Sequence, residues 1–209
     1  IAICALNCHA RQRRSANIRA VPMKRSNMTT IYLIRHGQAA AGFTSDPDPG
    51  LDQLGRSQAA KAADRLIQHG PLTLLSSPLK RAQETAAPLA ARLAQSVGIE
   101  SRVAEVPSTG LSLEARGPWL QKVMQGRWLE QSETLQQWQR DMATCLLECQ
   151  EPTAIFTHFV AINAMVAFAT GSPDVMVCRP NNGSITVFEI LDGELRLIER
   201  GEDASTHVN

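Results

Sequence analysis

Arg35, His36, Arg81, Glu105 and His158 are the residues of this chain whose types and positions suggest chemistry. Each stands at, or just past, the end of an apolar run. Ile31-Tyr-Leu-Ile34 leads into Arg35-His36-Gly37, and Leu72 to Leu75 leads into Ser76-Ser-Pro-Leu-Lys-Arg81. Arg102 to Val106 contains Glu105, and Thr153 to Thr157 leads into His158. Two arginines, two histidines and a carboxylate meeting on one rim would make an anion pocket with an acid beside it. Arginine offers a rigid fork of donors that matches phosphate oxygens and keeps its charge at any working pH. An imidazole nitrogen attacks phosphorus well when the other ring nitrogen is pinned by a hydrogen bond. Gly37 would let backbone approach the phosphate closely, and a carboxylic acid would protonate the departing alkoxide. Taken singly, each residue also has a plain reading: a satisfied core histidine, or an arginine in a solvated helix turn. The set as a whole points to phosphoryl transfer.

The elements that must position these groups alternate along the chain. Strands are expected at 30–35, 72–75, 102–106 and 153–157. Helices are expected from Arg56 to Gln68, from the Ser77-Pro78 start to about Gln95, from Gln131 to Gln150, and from Val160 to Ala169. Ser184 to Ile190 and Leu195 to Glu199, joined by Leu191-Asp-Gly-Glu194, read as a closing hairpin. Asp46-Pro-Asp-Pro-Gly50 is turn chemistry, and Pro107, Gly110, Gly117, Pro118 and Gly126 should break residues 107–130 into short pieces. The fold class is therefore α/β: three layers, α/β/α, with a mostly parallel central sheet and helices on both faces. Ligands of such sheets bind beyond the carboxyl ends of the strands, where the five residues stand.

Composition narrows the function. With 209 residues, 44% of them hydrophobic, the chain can bury one proper core. Residues 1–28 hold six of the 21 Lys and Arg and no Asp or Glu, so the body carries 15 basic against 20 acidic groups. Residues 1–28 are expected to be a basic, disordered leader, or an Arg-rich targeting peptide, ahead of a single catalytic domain at 29–209. An acidic body does not suit nucleic acid, and no run approaches the length a membrane span requires. Five cysteines without metal-ligand or disulfide spacing fit a reducing, cytoplasmic setting.

Beyond the residues themselves, Leu33-Ile-Arg-His-Gly-Gln38 resembles the signature of the histidine phosphatase superfamily, the phosphoglycerate-mutase-like proteins. Asp48-Pro-Gly-Leu-Asp-Gln-Leu-Gly-Arg-Ser-Gln58, Ser76-Ser-Pro-Leu-Lys-Arg-Ala-Gln-Glu-Thr-Ala86, Phe156-Thr-His158 and Asn182-Gly-Ser-Ile-Thr186 are similar to its later motifs, so the likeness runs over about residues 28–199. The resemblance implies that His36 accepts the phosphoryl group. It further implies that Arg35, Arg81 and His158 bind that group, with Gly37 and Gln38 at the substrate. A glutamate near the third strand would be the general acid and then the base for water. It implies no metal and no cofactor.

The acid has two main candidates, ahead of Glu84, Asp46 and Asp48, whose plain roles are capping or turn formation. Glu105 lies at the expected end of the third strand, but the glycine that follows it comes one residue late, at Gly110. Glu114 precedes Gly117-Pro-Trp119, and its plain reading is a solvated first-turn residue. Hydrolysis is preferred to mutase transfer, because Gln38-Ala-Ala-Ala-Gly42 replaces the polar groups that the mutase-like branch carries there. A pocket kept for binding without turnover is the remaining alternative. The expected partner is a small phosphorylated metabolite, a phosphoprotein or a phosphate ion. Leu111, Leu113, Trp119, Leu120 and Trp128 could line the site or pack on the body, and Arg116, Lys122, Arg127 and Arg179 could hold further negative charge or face water.

Overall fold

The computed structural model describes residues 28–42 and 46–204. Residues 1–27 of the leader, with Cys4 and Cys8, lie outside them. Six strands form one sheet: β1 Thr29–Arg35, β2 Thr73–Ser76, β3 Gly98–Ile99, β4 Thr153–Thr157, β5 Ile185–Leu191 and β6 Glu194–Glu199. Their spatial order is β3-β2-β4-β1-β5-β6. The four strands from β3 to β1 pair in parallel, while β5 is antiparallel to both of its neighbours.

Alternation along β1 shows how the layers arise. Ile31 and Leu33 point into one apolar cluster, with residues of α4 (Glu133–Leu147) and α5 (Phe159–Thr170). Tyr32 and Ile34 point into the other, with α1 (Gln53–Leu66) and α2 (Lys80–Leu93). Residues two apart share a face, so β1, β2, β4 and β5 each feed both cores and the sheet is covered on both sides. The α/β sandwich expected from the sequence is present.

Local chemistry sets most element ends. The Asp52 carboxylate accepts from Gly55 N at 2.6 Å and so starts α1 three residues earlier than periodicity suggests. Ser132 caps α4, and Gly171 closes α5 at φ 68°. Asp192 and Gly193, both at positive φ, make the tight β5–β6 turn.

Two expectations need correction. Residues 102–106 are not a strand. The third strand is Gly98–Ile99, paired only with β2, and Ser101–Val103 is a 3-10 turn whose first residues are held by the Glu100 carboxylate on Arg102 N at 2.9 Å. Val103 and Val106 are apolar because they are buried, not because they pair. Residues 107–130 are also more regular than their glycines and prolines suggest. Ser112 caps a 13-residue helix, α3 (Leu113–Gln125), that runs through Gly117 and Pro118. A proline there removes one helical donor, which the rest of the helix outweighs. A 3-10 turn follows at Trp128–Glu130.

Candidate active site

Register brings the reactive groups together. Arg35 pairs with Thr157 and Ser76 with Phe156, so the residues next along the chain, His36, His158 and Ser77, emerge side by side. Backbone bonds continue the ladder past the strand ends, from His36 N to Thr157 O at 2.9 Å and from Ser77 N to Phe156 O at 3.0 Å. The two imidazole centroids lie 5.2 Å apart.

His36 is buried, and its Nδ1 lies 2.7 Å from the Gly37 carbonyl. That contact requires Nδ1 to carry the proton, which leaves the lone pair on Nε2. Arg81 donates its Nε–H to this nitrogen at 3.2 Å. Burial, and then the positive charge of Arg81, push the His36 pKa down to about 3. The ring is therefore neutral at ordinary pH, with an unprotonated nitrogen at Nε2. Asn182 Nδ2 donates to the His36 carbonyl at 2.9 Å, fixing the backbone behind the ring.

His158 is fully buried behind His36 and does not reach the cavity wall. Its Nε2 lies 2.7 Å from Ser77 Oγ, and its Nδ1 has no partner among the described residues. Since Ser77 Oγ already accepts from Leu79 N at 3.2 Å, its proton is available to His158 Nε2. In the tautomer that takes it, Nδ1–H is a buried donor with no acceptor among the described residues. Burial and the neighbouring His36, Arg81 and Arg35 hold this ring neutral as well. Arg35 donates from Nη1 to Pro180 O at 2.8 Å and lies over the Phe159 ring at 5.0 Å, while its Nε is buried without a partner among the described residues.

Glu105 lies half-buried on the same rim, even though its segment is not a strand. Thr157 Oγ1 donates to Val103 O at 2.6 Å, tying this segment to the strand that carries His158. The Glu105 carboxylate accepts from Val106 N at 3.0 Å and from Val160 N, in the first turn of α5, at 3.5 Å. Burial raises its pKa against the pull of those amides and of Arg81 and Arg35. A carboxyl with a raised pKa can hold a proton to donate.

These groups face a cavity of about 560 Å³, lined by Arg35, His36, Gln38, Arg81 and Glu105 among others. Glu114 stands exposed in the first turn of α3 and is not part of its wall. Gly37 also stays off the wall. A Cβ there would strike the Gly55 backbone, so its bareness serves a close crossing of β1's exit over α1. Gln38 reaches the wall, but its side-chain amide donates to Asp52 at 2.9 Å. Of the residues with an open role, Leu120 and Arg179 line the cavity, while Trp128 is buried against Trp138. Sequence reasoning missed Met124, Met176 and the anchoring role of Asn182. Asn182-Gly183 was visible as turn chemistry, whereas nothing marked the two methionines.

A family model described as the histidine phosphatase superfamily (branch 1) matches residues 31–203. A glucosyl-3-phosphoglycerate phosphatase from Mycolicibacterium vanbaalenii is 39% identical over 79 residues, covering 36% of this chain and 35% of that protein. The chain thus spans about a third of the length of that curated relative. A solved mycobacterial glucosyl-3-phosphoglycerate phosphatase complexed with VO3 superposes with a TM-score of 0.65 at 23% identity, over 85% of this chain and 100% of that one. A phosphoserine phosphatase from Entamoeba histolytica, complexed with 3-phosphoglyceric acid, gives 0.64 at 22% identity, over 87% and 100%. At these identities the two structures speak for the fold.

Proposed function

We propose that this chain, which belongs to the histidine phosphatase superfamily, hydrolyses small phosphomonoesters through a phosphohistidine at His36. The observation that carries this reading is the state of that ring. It is neutral, its Nδ1–H is committed to the Gly37 carbonyl, and its Nε2 lone pair faces the guanidinium of Arg81 beside an open cavity. A phosphoryl group entering there displaces the Arg81 contact onto its own oxygens. Arg35 supplies the second guanidinium, and the two arginines together stabilise charge that builds on the equatorial oxygens as Nε2 attacks. His158, off the cavity wall, packs its ring beside that of His36 and backs the nucleophile.

As the N–P bond forms and the P–O bond breaks, Glu105 passes its proton to the leaving alkoxide, and the alcohol departs. The carboxylate that remains takes a proton from water. That water attacks phosphorus, the N–P bond breaks, and inorganic phosphate is released with His36 neutral again. Ala39, Ala40 and Ala41 put small apolar side chains on the wall just past His36, where the mutase-like branch carries polar groups, and this favours hydrolysis over mutase chemistry.

The test is to trap the intermediate. Protein quenched during turnover of a labelled phosphomonoester should carry acid-labile, alkali-stable phosphate on His36. Replacement His36→Ala should abolish both label and phosphate release. Turnover persisting in that variant would reject the reading.

A further inference from the structure

The cavity is far larger than a phosphate ion needs. Its roughly 560 Å³ falls in the range of about 300–1,000 Å³ typical of sites that enclose a whole organic ligand. Beyond Arg35 and Arg81, one further cation lines it among the described residues: Arg179. This side chain has no hydrogen-bond or ion-pair partner among the described residues, although seven other ion pairs occupy cations elsewhere on the surface.

Its position is nevertheless built. Arg179 N donates to Asp203 Oδ1 at 3.2 Å, and its carbonyl accepts from Ala204 N at 2.7 Å. Pro180 and Asp203 form a β-bridge, and the Pro180 carbonyl receives the Arg35 guanidinium at 2.8 Å. The segment presenting Arg179 is therefore clamped from the C-terminal side and fastened directly to one of the two arginines beside His36. Leu120, Met124 and Met176 supply an apolar wall to the same cavity. One end of the site thus offers two guanidiniums and a nucleophile, the middle offers carbon, and the rim offers a third, unspent guanidinium.

We infer that Arg179 is a specificity-determining residue that pairs with a second anionic group on the alcohol part of the substrate. The preferred substrates are then phosphomonoesters bearing a carboxylate or another phosphate a few carbons from the ester, with their carbon skeleton against Leu120, Met124 and Met176. This rests on the phosphatase reading for the site's chemistry. Its binding part can be tested apart from turnover.

The probes are matched phosphonates, which cannot be hydrolysed: 3-phosphonopropionate, propane-1,3-bisphosphonate and propylphosphonate. Calorimetric titration of the wild-type chain should show at least one of the two doubly anionic probes binding about ten- to a hundredfold tighter than propylphosphonate, as a charge-assisted pair predicts. Which of the two gains more distinguishes a carboxylate from a second phosphate. In Arg179→Gln that ratio should collapse toward one, and Arg179→Lys should retain part of it. A merely structural role would weaken all three probes together and leave the ratio unmoved. Equal affinities in the wild type, or a ratio unchanged in Arg179→Gln, overturn the inference. Parallel assays with the corresponding phosphate esters separate the two readings. A charge preference that depends on Arg179 without any hydrolysis would sink the phosphatase reading and leave this one standing.

Discussion

At the scale of single residues, the site is decided by which groups are kept neutral. Glu105 is held on the rim by two backbone amides yet has its pKa raised by burial, the state a proton donor requires. Glu105→Gln should therefore lose about 10²–10⁴ in kcat on an alkyl phosphate, whose leaving group needs the proton. With p-nitrophenyl phosphate, whose leaving group does not, the same variant should give a burst of nitrophenol stoichiometric with enzyme, followed by slow turnover for want of a base. Wild-type rates on the alkyl ester would remove Glu105 from the mechanism. The histidines give a second expectation. His36 is lowered to about 3 and His158 well below its ordinary value of 6.5. Between those values and 6.5 the unfolded chain binds more protons than the folded one, so stability present above about pH 6.5 is lost as pH falls. Glu105, with its pKa raised, acts with the opposite sign, losing stability as pH rises through its own range. Thermal midpoints measured at pH 7 and pH 5 should fall in the wild type, and fall less in His158→Gln. Equal slopes would show that burying this ring carries no linkage. Arg35, His36 and Arg81 were legible in the sequence because their types and their places after apolar runs agree. Met124 and Met176 were not, since a thioether on a cavity wall looks like any core methionine.

At the scale of elements, the site depends on how β1's exit crosses the start of α1. Gly37 and Gly55 meet backbone to backbone, and a Cβ on either would strike the other segment: Gly55 against Gln38, Gly37 against Gly55. Gly37 N also donates to Thr85 Oγ1 at 3.0 Å, whose hydroxyl bonds back to the Arg81 carbonyl at 2.6 Å. One crossing therefore sets both the loop after His36 and the helix that carries Arg81. Gly55→Ala, harmless by helix propensity, should instead destabilise the fold by about 1–3 kcal/mol through overpacking, read as a lower urea midpoint at unchanged slope. An unchanged midpoint would mean that the crossing is slack. Strands β1, β2 and β4 were readable because each is built on a short apolar run, Ile31 to Ile34, Leu74 to Leu75 and Ala154 to Phe156. The third strand was misread for a physical reason: Val103 and Val106 carry the apolar signal of a strand, while the residues that do pair, Gly98 and Ile99, are exposed on a sheet edge. Glu105 still reached the rim because Thr157 anchors the Val103 carbonyl, a contact between residues 54 apart that no local pattern encodes.

Across the whole molecule, the cavity is walled by parts of unequal solidity. α5 is buried on nearly all sides, from Val160 to Ala167, and carries the amide that holds Glu105. α3, which brings Leu120 and Met124 to the same cavity, buries only Val123, and Gly117 and Pro118 lower its intrinsic stability. Helices that bury little open locally at a small fraction of the global free energy, whereas those inside a core open only when the molecule unfolds. The catalytic floor should therefore be rigid, and the α3 wall that would contact the alcohol part of a substrate should be the yielding one. Hydrogen exchange followed by mass spectrometry would show it. Amides within Leu113–Gln125 should exchange orders of magnitude faster than those within Val160–Ala167, whose protection should match the stability measured by urea unfolding. Saturating 3-phosphonopropionate should slow exchange in α3 more than in α5, because a ligand spanning from His36 to the apolar wall adds contacts only where few exist. If α3 were as protected as α5 before any ligand is added, the picture of a firm floor under a compliant wall would have to be given up.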